Sequence, residues 1–134
     1  MGLKFYTLNF KLKGMVSTRE IGEMAEKLAQ HHLRKLGYEI LDCNWHFGHL
    51  ELDIIAKDGD ELVIVEVKSR NGIRYEHPSE AVTNAKIKRI VEAADEYIQQ
   101  KDIDLETRFD VITVIFFQQK HELEHFKDAF YPTL

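Results

Sequence analysis

A single cysteine, Cys43, leaves no partner for an internal disulfide and fits a reducing, cytoplasmic compartment. On the apolar-flanked segment ILDCNW it reads as a structural cysteine rather than a catalytic thiol. Long apolar runs are also missing. None approaches the roughly 18 residues of a membrane span, so no membrane partner is expected. Residues 1–14, MGLKFYTLNFKLKG, carry Lys11 and Lys13 late and have no small-residue cleavage site, so they do not read as a signal peptide. The chain has no glycine-rich phosphate loop, no G-x-S-x-G elbow and no Ser/His/Asp ordering, which removes the common nucleotide-binding and serine-hydrolase readings. Repeats, low-complexity tracts and linkers are absent too. The organisation is one domain over 17–134 behind an N-terminal extension, 1–16, in which Met15 offers an alternative start.

A basic excess is lacking overall. The net charge is −5, which excludes a general nucleic-acid coat. The charge is unevenly spread, however. Residues 66–89 carry six basic and three acidic side chains, against four and ten over residues 90–134. An acidic body with one local basic zone suits a protein that meets a polyanion at one place only.

What is present is a regular alternation of elements. Ser17 and Glu20 form an S-x-x-E capping box, and the helix they open runs to Leu36 and stops at Gly37. Ile21, Ala25, Leu28, His32 and Leu36 keep helical spacing on one face. YEILDCNWHF, LELDIIAK and ELVIVEVKSR read as strands, with Trp45 and Phe47 as core aromatics rather than a base-stacking platform. Residues 70–80, with Gly72 and Pro78, read as an exposed loop. A second helix covers about 83–100 with Ile87, Ile90, Val91, Ala94 and Ile98 on its stripe, followed by a central strand RFDVITVIFF and an edge strand around His121–Phe126. The order is α-β-β-β-α-β-β, an α/β fold with a mixed sheet flanked by helices.

Three acids, Glu51, Asp53 and Glu66, lie among apolar strand residues, where acids are rarely buried without a partner. Asp58-Gly59 signals a two-residue type I′ turn, which makes Lys57 face Asp60. Glu51 then opposes Glu66, Asp53 opposes Ile64, and Glu51, Asp53, Glu66 and Lys68 project to one side of the sheet. Asp53 and Glu66 become diagonal neighbours with Cβ atoms about 7–8 Å apart, close enough for two carboxylates to share a cation. Oxygen-only ligands favour Mg²⁺ or Mn²⁺ over zinc. Lys68 would stabilise charge developing on a phosphoryl centre or orient the attacking water. The plainer reading is a Glu66–Lys68 ion pair at the sheet's end with Asp53 bonded to backbone. His31-His32 and His46/His49 do not read as a zinc site, since His46 and His49 have opposite parity on a strand and no cysteine pair accompanies them. No helix carries Arg and Asn set for bidentate base contacts, so nothing here reads a base sequence.

Asp53 followed by Glu66-Val67-Lys68 resembles the PD-(D/E)XK nuclease superfamily, which includes restriction enzymes and archaeal Holliday-junction resolvases. Over residues 20–114 the chain is similar to the YraN-like family of small bacterial proteins. The matching pieces are Gly22-Glu23 with Ala25, Gly37-Tyr38, Asn44, Glu51-x-Asp53-Ile54-Ile55-Ala56, Val65-Glu66-Val67-Lys68-x-Arg70, Ala81-Val82 with Lys86, and Arg108-Phe109-Asp110-Val111.

The resemblance implies a restriction-endonuclease-like sheet, Mg²⁺ or Mn²⁺ as cofactor, and structured or branched DNA as substrate for phosphodiester hydrolysis. By the same resemblance Asp53 and Glu66 are metal carboxylates and Lys68 is the catalytic lysine. Glu23 is the acid sent into the site by the first helix. Glu51 stands for the acid of a G-E-I-D segment whose glycine is here Leu50. Arg70, Arg74 and Lys86 are phosphate contacts. Relatives that act as dimers suggest a homodimer, with Phe116, Phe117 and Phe126 as the apolar flank. Asp110 supports the fold or the site's surroundings. Two other readings stay open: a catalytically silent nucleic-acid-binding or DNA-processing module, and a protein-interaction domain with solvated acids.

Overall fold

The computed structural model describes residues 4–7, 17–71 and 78–132. In chain order the elements are β1 (Lys4–Thr7), α1 (Thr18–Lys35), β2 (Glu39–Phe47), β3 (Leu50–Asp58), β4 (Glu61–Asn71), the short α2 (Pro78–Ala81), α3 (Asn84–Lys101), β5 (Glu106–Phe117) and β6 (Lys120–Phe126). The seven elements read from the sequence are all present in their expected order, and β1 and α2 are additional. Six strands form one sheet in the order β1-β6-β5-β4-β3-β2. β4 and β5 are parallel and every other pairing is antiparallel, so the sheet is mixed. β5 is central, as its two-faced apolarity predicts. β6 is not the edge strand expected, because β1 pairs along it. Among the described residues no helix is long and apolar enough to cross a membrane.

The two long helices cover opposite faces. α1 begins where its capping box predicts: Ser17 Oγ accepts from the Glu20 amide at 3.1 Å. It ends in a Schellman turn, with Tyr38 N donating to Leu33 O and Gly37 N to Arg34 O, both at 3.0 Å. Gly37 sits at φ 89°, where a side chain would be strained. Ala25, Ala29 and Leu33 pack on Ile54, Ala56, Val63, Val65, Ile112 and Val114. Leu36, expected on the buried stripe, is 45% exposed, because the helix has reached its C-cap there and turned away from the sheet. On the other face α3, capped by Thr83, buries Ile90, Ala93, Ala94 and Tyr97 against Leu52, Ile55, Leu62, Ile64, Phe109 and Val111. The small residues Ala25, Ala29, Ala93 and Ala94 let both helices approach the sheet closely.

Two phenylalanines of the expected apolar flank pack on opposite faces of the sheet. Phe116 is buried in the α1-side core, whereas Phe126 packs in the α3-side core. Phe47, expected in the core, is 43% exposed as the last residue of β2.

One end of the sheet is tied by a buried polar network. Asp110 has no solvent exposure and accepts from Arg108 Nε at 2.9 Å, Arg108 Nη2 at 3.0 Å and the Asp128 amide at 3.0 Å. His125 Nε2 lies 2.7 Å from Asp110 Oδ2 and, facing an ionised carboxylate, must donate. Its Nδ1 meets His32 Nε2 of α1 at 3.1 Å. Arg108 also reaches Asp58 and Glu61 at 3.0 Å and the Tyr38 hydroxyl at 2.6 Å, joining the β3–β4 turn to the end of α1. Burial by itself would raise the Asp110 carboxyl, but the bonds from His125, Arg108 and Asp128 outweigh it and hold the group below its ordinary 3.8. A depressed carboxylate stabilises the fold above the unfolded value, and that contribution disappears as pH falls through the folded one. Asp110→Asn is therefore expected to lose about 3 kcal/mol near neutral pH, since it removes the buried charge that Arg108 Nε and His125 Nε2 both face. In urea titrations the gap to wild type should close as pH drops below 3.8, where the wild-type carboxyl also protonates. Equal stability at pH 7 would show the network to be dispensable.

Candidate active site

The opposite end of the β3–β4 pair carries the acids. The hairpin turn is Gly59-Asp60 rather than Asp58-Gly59, so Asp58 pairs with Glu61 and Ile55 with Ile64. Gly59 has φ 61° and Asp60 an ordinary negative φ, the φ pattern of a type II′ turn with glycine first. The register thus differs by two residues from that expected. A shift of two keeps every side chain on its face, whereas a shift of one would have reversed them all.

The backbone pairs of β3 and β4 end at Ile54 and Val65. One residue further the strands part, and the Asp53 side chain enters the fork: its Oδ2 accepts from the Val67 amide at 2.9 Å. On the other side of β3 the ladder skips the pair Asn44/Asp53, with Asn44 at φ 50°, a conformation asparagine tolerates better than most residues. The alternation slips at this point in both strands. Ile54 belongs to the α1-side core, but Leu52 and Leu50 belong to the α3-side core together with Ile55. Asp53 therefore stands in the sheet's own layer, reachable from both faces.

Glu66 is 6% exposed and, by alternation with Leu62 and Ile64, turns toward the α3 side. It hydrogen-bonds the Asp53 carboxyl. Burial raises its pKa first, the Asp53 charge and the bond between the two raise it further, and Lys86 and Lys68 lower it by less. The result is a carboxyl pushed up to about 8. Glu66 thus keeps its proton near neutral pH against the Asp53 carboxyl, and a divalent cation would relieve that crowding. Lys68 Nζ lies 3.9 Å from Glu66 Oε1 and keeps a third of its side chain in solvent. Lys86, in the first turn of α3, acts on Glu66 more strongly than Lys68 does. Arg70 follows Lys68 by two on the same strand. Arg74 lies outside the described residues.

Two expected members stand elsewhere. Glu51 faces His46 across the β2–β3 pair at 3.7 Å, half in solvent. The slip at Asp53 turns it away from Glu66, so the four side chains expected on one face do not share one. Glu23 is exposed, bonded by Arg19 at 3.2 Å. The acid that α1 directs at the site is instead Glu26, one turn on. Burial raises its pKa first, the Asp53 charge adds to the rise, and a hydrogen bond with Asn44 lowers it. Helical spacing carries that signal: Glu26 lies three and seven residues before the fully buried Ala29 and Leu33. Cys43 is partly buried, and burial pushes its thiol up, away from nucleophile chemistry.

The contacts of the plainer reading are therefore present, both the Glu66–Lys68 pair and the Asp53 bond to backbone. What exceeds it is the direct carboxyl–carboxyl contact. Among the described residues no group of three or more His, Cys, Asp and Glu is placed to hold a metal ion. Two carboxylates with open positions fit Mg²⁺ or Mn²⁺, which keep waters and take phosphate oxygens.

The raised Glu66 sets a pH dependence. Between 4.5 and about 8 the folded chain holds a proton that the unfolded chain has released, so stability falls as pH climbs and the full cost is present above about 8. Glu66→Gln cannot ionise. It should exceed wild type at pH 9 by on the order of 2 kcal/mol, roughly 5 °C in melting temperature, and match it near pH 4. A variant less stable than wild type at pH 9 would refute the crowding of charge.

Comparison with known proteins supplies the family. The model of the uncharacterised protein family UPF0102 matches residues 25–114. A UPF0102 protein of Bacteroides thetaiotaomicron is 47% identical over 90% of this chain and 99% of its own length. One of Flavobacterium psychrophilum is 44% identical over 87% and 98%, and one of Christiangramia forsetii 37% identical over the same shares. The match spans α1 through most of β5 and so takes in Glu26, the Asp53 fork, Glu66, Lys68 and Lys86. The chain belongs to the UPF0102 family.

Proposed function

We propose that this chain is a metal-dependent endonuclease of the PD-(D/E)XK type, hydrolysing phosphodiesters in structured or branched DNA. The observation that carries the reading is the contact of the buried Glu66 carboxyl with the partly buried Asp53 carboxyl at the mouth of a strand fork, with Lys68 3.9 Å from Glu66. A protein that only needed an ion pair there would not set a second carboxyl against the first.

Mg²⁺ or Mn²⁺, held by Asp53 and Glu66, would polarise the phosphoryl oxygen and lower the pKa of a bound water. The Val67 amide bonds Asp53 Oδ2 and so fixes the carboxylate in the fork. Lys68, partly in solvent, is placed to hold charge that grows on the phosphoryl oxygens. Lys86 and Arg70 approach from α3 and the end of β4, giving a duplex backbone positive contacts beside the acids. Glu26, partly buried and hydrogen-bonded to Asn44, borders the Asp53 side of the fork and is suited to orient a water there.

Three measurements test this reading. Saturating Mn²⁺ should raise the melting temperature of wild type but leave Glu66→Gln unchanged, because only a ligand that prefers the native state stabilises it. Lys68→Ala should bind branched DNA within about twofold of wild type while losing on the order of 10²-fold in Mn²⁺-dependent nicking. Lys86→Ala should weaken binding and lower its salt slope by about one phosphate contact. Wild-type protein that binds branched DNA but never nicks it with either ion would leave the silent-module reading in its place.

A further inference from the structure

Phe47 is an apolar ring left in the open beside a polar site. It is 43% exposed, and its plane lies 9° from that of Trp45 at a centroid distance of 6.4 Å. Trp45 is itself held edge-on by Tyr97 of α3 at 5.2 Å, and the Tyr97 hydroxyl donates to Asp42 Oδ2 at 2.7 Å. The exposed ring is thus the last of three aromatic side chains whose inner members are fixed by packing and a hydrogen bond.

Its place in the fold ties it to the acids. Phe47 pairs with Leu50, three residues before Asp53 on β3. At about 3.3 Å of rise per residue the separation along the strand is roughly 10 Å, one or two nucleotides of a single strand. Trp45, Leu50 and Leu52 pack in the α3-side core, the face toward which Glu66 and Lys68 also turn and at which Lys86 begins α3. Ring, lysines and carboxyl pair therefore open on one side of the sheet. Scattered exposed apolar residues need no explanation, but this one is flat, backed by a parallel indole and set one or two nucleotides from the carboxyl pair.

We propose that Phe47 is a stacking platform for an unpaired base, so that the site takes DNA with a single-stranded segment next to the scissile phosphate in preference to continuous duplex. This deepens the hydrolase reading above and rests on it for the position of the phosphate. Stacking suits a site that reads no base edges, since every base offers the same π-face. In a continuous duplex the bases are stacked on one another and none is available to the ring, whereas a flap, fork or tail supplies one. The charge agrees: Lys68 and Lys86, which both act on Glu66, cover the phosphate's side. The strand neighbour of Phe47, His46, turns to the other face and meets Glu51 at 3.7 Å.

The test compares a duplex bearing a single-stranded tail with a blunt duplex of equal nucleotide number, by fluorescence anisotropy at fixed salt without divalent ions. Wild type should prefer the tailed DNA. Phe47→Ala should weaken tailed binding about tenfold and blunt binding less than twofold, with an unchanged melting temperature. Phe47→Trp should restore the preference. Equal wild-type binding to both DNAs, or a Phe47→Ala loss that is the same on both, overturns the platform. Mn²⁺-dependent nicking of the tailed duplex, scored in parallel, separates the two readings. Phe47-dependent binding without nicking keeps the platform and removes the hydrolase, and nicking without Phe47 dependence removes the platform alone.

Discussion

The Asp53 carboxylate in the fork between β3 and β4 is the contact on which the rest of the site depends. Two strands that separate leave backbone amides without ladder partners, and a buried amide must bond to something. Asp53 Oδ2 meets that demand at Val67 N. In doing so it brings a negative charge into the sheet beside Glu66, whose own burial already disfavours ionisation. The raised Glu66 and the pull of Lys86 and Lys68 upon it follow from that placement. The fork itself depends on the slip at Asn44 and Asp53, without which Asp53 would project from one face only.

The far end of the same strands solves the opposite problem. There Arg108 and Asp110 are buried with every strong partner supplied: Asp58, Glu61, Tyr38, His125 and a backbone amide. Charges of opposite sign are matched, so burial is compatible with stability, and the hairpin turn, the end of α1 and β6 are drawn together. At the Asp53 end like charges are left facing each other. Among the described residues, these two polar clusters, one satisfied and one frustrated, are separated along β3 and β4. Frustration of that kind is stabilising only when something else arrives, which is why the second cluster reads as a site and the first as scaffold.

Much of this was legible in the chain. Periodicity and caps located both long helices and five strands, because amphipathic spacing and the S-x-x-E box are local signals. The carboxyl pair was legible because a register error of two residues preserves faces. Other features were not. Nothing local marks the alternation slip at Asp53, so Glu51 was assigned to the Asp53–Glu66 face when it stands away from it. Glu23 was assigned by resemblance, yet the helix presents Glu26, because the rotation of α1 is set by Ala25, Ala29 and Leu33 packing on the sheet. Aromatic strand residues point to the core, yet Phe47 closes β2 and stands open, which only the packing around the strand end decides.

By itself the sequence determined both long helices and five of the six strands, that the sheet is mixed, and that two acids and a lysine converge on it. Those depend on residue spacing within one or two elements. Tertiary structure alone decided which acid α1 offers, that β6 lies inside a six-stranded sheet, and that Asp53 occupies a fork. It also decided that Asp110, a lone acid on an apolar strand, is held by partners up to 52 residues away along the chain, at Asp58 through Arg108. The physical reason is common to all of them. Rotation of a helix, closure of an edge and pairing of a buried charge are settled by contacts between distant segments, and no local pattern encodes their outcome.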